Sequence, residues 1–219
     1  MISQTDYQNL IQKLTTQKVV LIAVSKGRSP AQIETLYKYG QRDFGENYVQ
    51  ELLPKYENLP KDIRWHFIGH LQTNKVKYIA PFVAMIQSVD SQNLLQEINK
   101  QAEKNKRMVD CLLEVKVAQE VTKTGMNVNH AREMIQSDKI KNLKHARLRG
   151  LMGIASNTHD HGIVRQELKT LHDYFKEMKQ QIKATVDFSV LSMGMSQDYQ
   201  LAIDEGSTMV RLGSLLFAE

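Results

Sequence analysis

Short runs of apolar, often β-branched residues recur along the chain, separated by stretches whose apolar positions fall every three or four residues. The run at 18–25 (KVVLIAVS) is nearly continuous, a pattern that suits a strand buried on both faces of a parallel sheet. Seven shorter candidates follow, at 42–46, 64–69, 83–89, 110–117, 148–154, 185–192 and 208–212. The intervening periodicity predicts helices over 30–39, 48–57, 71–80, 91–106, 128–137, 160–183 and 197–205, with one more at 3–16 ahead of the first strand. Ser29-Pro30 and Gly40 bracket the first of these, and Asp90-Ser91 is a candidate cap for 91–106.

Strict alternation implies right-handed crossovers and a parallel sheet. Eight units in one chain favour a closed (β/α)8 TIM barrel over an open doubly wound sheet, with an extra N-terminal helix. The four prolines and eleven glycines are scattered, and no linker or low-complexity tract interrupts the pattern. A single α/β domain over 1–219 is expected.

Composition narrows the classes. Apolar residues at 42% and charged residues at 24% are ordinary for a globular protein, which excludes a disordered or fibrous chain. No apolar run reaches the roughly 20 residues of a membrane span, and the polar N-terminus does not read as a secretory signal. The single Cys111 excludes a disulfide framework, so a reduced, cytoplasmic setting is expected. The net charge of +5 comes from runs that suit solvated helix faces, without a nucleic-acid-binding motif. His159 and His161 lack a third ligand nearby, so no metal site is expected.

Barrel chemistry sits at the C-terminal ends of the strands. The first strand ends in Ser25-Lys26, the second runs into Glu46-Asn47, and the third carries His66. The seventh ends in Ser192-Met193-Gly194-Met195-Ser196; the eighth carries Arg211 and ends in Gly213-Ser214. A lysine following so apolar a segment is expected to be partly desolvated, which lowers its pKa and favours a nucleophilic amine. Ser196 at the start of a helix over 197–205, together with Gly213 and Ser214, matches the two places where barrels build phosphate sites. Met193 and Met195 could set a thioether against an aromatic ring. Arg211 lies in an apolar stretch and needs a partner: a heteroaromatic nitrogen, a carboxylate ligand, or an internal ion pair with Glu46 or Asp204. These groups describe a pyridoxal 5′-phosphate (PLP) site and, almost equally, a Schiff-base sugar-phosphate aldolase.

The segments AVSKGRSP, FGENYVQE, WHFIGHLQTNK, LRGLMGI, LSMGMSQDYQLAIDEG and STMVRLGSLLF resemble, in order and spacing, the YggS/PROSC family of PLP homeostasis proteins, over about residues 19–217. The resemblance implies a fold-type-III barrel like the N-terminal domain of alanine racemase. It implies that Lys26 holds PLP as an internal aldimine and that Arg211 faces the pyridine nitrogen. Ser192, Met193 and Ser196 fall in one phosphate-side loop, Gly213 and Ser214 in the other, and Asn47 and His66 match pocket positions. Lys116, Ala155 and Ala218 depart from the family pattern, and Ser214 replaces a frequent threonine. The function implied is a carrier that masks PLP and delivers it to apo PLP-dependent enzymes; a bare barrel without a second domain is expected to be a monomer. Racemase chemistry needs a second proton-transfer group, and no second domain is expected past strand eight to bring one; a small amino-acid racemase is the alternative.

Overall fold

All eight expected strands form. β1 (Val20–Val24), β2 (Asp43–Glu46), β3 (Arg64–Phe67), β4 (Met85–Val89), β5 (Val109–Glu114), β6 (Ala146–Met152), β7 (Val190–Ser192) and β8 (Met209–Leu212) are parallel and pair in sequence order. β8 returns to β1, with Arg211 opposite Ile22, so the sheet closes into a barrel. The structure is a computed structural model and describes residues 1–118, 124–182 and 187–217. The first residues expected in the seventh strand, 185 and 186, lie outside the described residues, as does Ala218.

The helices are α1 (Gln4–Thr16), α2 (Pro30–Lys38), α3 (Val49–Asn58), α4 (Val76–Ile79), α5 (Gln92–Lys104), α6 (Val128–Gln136), α7 (Asp138–Lys141), α8 (His161–Gln181), α9 (Tyr199–Asp204) and α10 (Ser214–Phe217). Their starts follow the capping chemistry in the sequence. Ser29 forms a full capping box with Gln32, with Pro30 in the first turn. Ser91 and Asp160 cap α5 and α8 through their side-chain oxygens.

Two helical expectations need correction. The helix expected over 71–80 is a 3-10 turn, Thr73–Lys75, followed by the single turn α4. The helix expected from 197 begins at Tyr199, because Asp198 and Ser196 are committed to the preceding loop. The apolar tail after β8 contains the short helix α10.

The period of two along each strand separates two cores. Phe44, Trp65, Leu151, Leu191 and Val210 join the layer between sheet and helices. Ile22, Met85, Leu112, Met152 and Met209 form a separate cluster within the lumen. Each such buried side chain contributes about 1.5–3 kcal/mol. At the N-terminal pole the strands are tied by ion pairs, Arg64 with Asp43 and both Arg147 and Arg149 with Asp110. The C-terminal pole carries the residues singled out in the sequence.

Candidate cofactor site at the barrel mouth

Lys26 lies two residues past β1, in the turn Ser25-Lys26-Gly27-Arg28, which closes through Arg28 N–H donating to Ser25 O at 3.0 Å. Gly27 has φ +68°, a left-handed conformation that suits glycine at this turn position. The lysine side chain is exposed. The desolvation expected from its apolar strand is therefore corrected: the strand is buried, but the turn lifts the next residue to the rim.

The neighbouring strand β8 brings Arg211 to the same mouth. Arg211 is only 4% exposed. It donates to Ser192 Oγ at 2.6 Å and to Gly153 O at 2.9 Å. Among the described residues no carboxylate lies within ion-pair distance. The two internal partners considered from the sequence are engaged elsewhere, Glu46 with Lys55 and Asp204 with Arg165. Burial lowers the Arg211 pKa to about 10, so it is still a cation near neutrality.

Arg211 heads a directional chain of hydrogen bonds through the lumen. It donates to Ser192, whose hydroxyl donates to Gln87 Oε1 at 2.7 Å. That fixes the Gln87 amide so that its Nε2 faces His66 Nδ1 at 3.1 Å. Nδ1 must then accept, which leaves the proton on Nε2, 3.0 Å from Asp43 Oδ1. His66 thus sits below the mouth, paired in register with Gly45 and Met85, and acts on the rim only through Gln87 and Ser192.

The last two loops are stitched together by Ser196. Its Oγ accepts from Gly213 N at 3.2 Å and from Leu215 N at 3.3 Å. It lies upstream of α9 and so joins the loops rather than opening a helix. Ser214 is exposed between those two amides. Met193 is fully buried in the outer core; strand parity turns it away from the lumen, so it does not line the mouth. Asn47 follows β2, next to β1 in the ring, and lies against Gly69, where an added Cβ would come 2.3 Å from Asn47 O. Its Oδ1 is buried and has no hydrogen-bond partner among the described residues.

Other groups at this pole escaped the sequence reading. Glu114, at the end of β5, is 3% exposed and accepts from Thr124 Oγ1 at 2.5 Å; burial raises its pKa. Lys55 on α3 is buried, donating to Ser25 O at 2.8 Å and to Glu46 Oε1 at 2.7 Å. Burial also raises the Glu46 pKa, against the bonds from Lys55 and Ser25. Signals existed: Gln87 and Ser88 interrupt an apolar strand, and Lys55 falls three residues after Leu52 on the apolar face of its helix.

The alanine racemase N-terminal domain family matches residues 5–219. The chain is 41% identical over 200 residues to the pyridoxal phosphate homeostasis protein of Aquifex aeolicus, covering 91% of this chain and 86% of that protein. The chain belongs to the pyridoxal phosphate homeostasis protein family. Another family member, from Synechocystis sp., is 35% identical over 222 residues, covering 100% of this chain and 99% of its own. The structure of PipY of Synechococcus elongatus PCC7942 with PLP bound superposes with TM-score 0.84 at 32% identity, covering 95% of this chain and 98% of PipY. Alanine racemase of Clostridium difficile 630 shares the fold, with TM-score 0.77 at 14% identity over 99% of this chain and 55% of the racemase. Of the departures from the family pattern, Ala155 is buried and Lys116 lies just past β5, half-buried, with its N–H on Met126 O.

Proposed function

We propose that this chain is a single-domain PLP carrier. It holds the cofactor at the C-terminal mouth through a Schiff base to Lys26 and passes it to apo PLP-dependent enzymes. The observation that carries this reading is Arg211, a buried cation whose hydrogen-bond partners among the described residues are neutral, one strand away from an exposed amine. The full-length similarity to PLP homeostasis proteins, and to PipY, solved with PLP bound, supports it.

The residues fit such a ligand. Bound there, the cofactor supplies an aldehyde for the Lys26 amine and a phosphate for the loops at Ser196, Gly213 and Ser214. Asn47 Oδ1, just past the neighbouring strand β2, offers an unmatched acceptor among the described residues. Arg211 can only donate. As a cation it disfavours protonation of a ring nitrogen beside it, which weakens the electron sink that amino-acid chemistry requires. That favours holding over turnover.

The purified protein is expected to be yellow, borohydride to fix one cofactor on Lys26 by peptide mapping, and Lys26→Ala to be colourless. Incubation with an apo PLP enzyme should restore that enzyme's activity. A colourless chain that PLP cannot reconstitute would overturn the proposal; borohydride trapping only with a sugar phosphate present would indicate an aldolase. The carrier is proposed to be a cytoplasmic monomer, testable by sedimentation and fractionation. No described helix is long and apolar enough to cross a membrane.

One observation favours the racemase alternative. β5 lies diametrically across the barrel from β1, so Glu114 faces the lumen from the side opposite Lys26. Solvent deuterium entering Cα of L-amino acids at a catalytic rate, and lost in Glu114→Gln, would establish that activity.

A further inference from the structure

The exposed Lys26 has its two chain neighbours tied to one helix. Ser25 O accepts from Lys55 Nζ at 2.8 Å, and Gly27 N–H donates to Glu51 Oε2 at 2.7 Å. Glu51 and Lys55 are one turn apart on α3 and pair with each other at 3.5 Å. Ser25 Oγ adds a bond to Glu46 Oε1 at 2.6 Å, and the same oxygen receives Lys55 Nζ. The three acceptors around Lys55, namely Ser25 O, Glu46 and Glu51, equal the three N–H donors of an ammonium group.

Such a cluster is a poor device for stability, since an apolar side chain would fill the same volume at no desolvation cost. It is a good device for geometry. The backbone on both sides of residue 26 is held by directional bonds, and only the lysine's own rotamers are left free.

We infer that Glu51, braced by Lys55, is a positioning residue for Lys26, presenting its amine to an aldehyde at the barrel mouth. The inference rests on the proposal that Lys26 is the cofactor lysine. Bond formation joins Nζ to the aldehyde carbon and expels the carbonyl oxygen as one water. Glu51 takes no proton in that step; it fixes where the amine starts from.

The test uses the full chain and PLP, following the rate of borohydride-trappable bond formation by mass spectrometry. Glu51 is 37% exposed on its side chain, so Glu51→Ala is expected to fold, checked by circular dichroism. Misplacement of a reacting group slows such steps by about ten- to a hundredfold, the slowing expected for Glu51→Ala. Glu51→Gln keeps an acceptor for Gly27 N–H and should recover most of the rate. In a Lys26→Ala background, Glu51→Ala should leave the PLP dissociation constant from equilibrium dialysis unchanged. An unaltered trapping rate in Glu51→Ala overturns the inference, as does an equal loss of PLP affinity in the Lys26→Ala background. A parent chain that traps no PLP at Lys26 overturns the cofactor reading and this role with it.

Discussion

Arg211 and Ser192 meet at 2.6 Å, a guanidinium donating to a hydroxyl that passes its own hydrogen on to Gln87. Ser192 is fully buried, so neither of its bonds can be replaced by water without opening the lumen. Ser192→Ala leaves Arg211 and Gln87 each short of a partner. Removing a bond to a charged group costs about 1.5–3 kcal/mol. The unfolding free energy from urea titration is expected to fall by that amount, and Ser192→Thr, which keeps the hydroxyl, to recover part of it.

Asp43 anchors the other end of the same chain. Burial works against its carboxylate, but hydrogen bonds from His66 and Arg64 outweigh that and hold its pKa below the ordinary range. A depressed carboxylate contributes stability that is present above its unfolded pKa and is lost as pH falls through the folded one. Asp43→Asn should therefore be less stable than the parent at neutral pH, with the gap narrowing below about pH 4, the ordinary Asp value. A gap that widens on acidification would contradict the assignment.

Glu114 has the opposite sign. Burial raises its pKa in the fold, so its contribution diminishes as pH rises from the unfolded value through the folded one. Glu114→Gln keeps an acceptor for Thr124 and removes the charge. It should unfold at a higher temperature than the parent at pH 7, and the advantage should disappear near pH 4.

Gly69 is defined by contact rather than by torsion. A Cβ there would lie 2.3 Å from Asn47 O and 2.7 Å from its Cα, both backbone atoms that cannot swing aside. Gly69→Ala is expected to cost about 1–3 kcal/mol, the range for forced overpacking, measured by urea unfolding. It should also weaken PLP retention in dialysis, because the displaced backbone carries Asn47.

Much of this protein is written locally. A strand buried on both faces needs a continuous β-branched run, and a helix on its outside needs a 3.6-residue stripe; both are properties of a few adjacent residues. Eight alternations then leave a closed barrel as the economical way to bury every strand. Lys26, Asn47, Arg211 and the loops at 196 and 213–214 could be singled out as candidates because they lie at or just past strand ends. Partnership is another matter. Lys55 and Ser25 are 30 positions apart and Gln87 and Ser192 are 105 apart, so their bonds exist only once the barrel has closed and set its stagger. The same closure turns Met193 outward, drops His66 beneath the rim and lifts Lys26 into solvent. Which face a side chain takes, and what it meets there, depends on strand register and turn geometry across the whole ring, and no short stretch of chain carries that information.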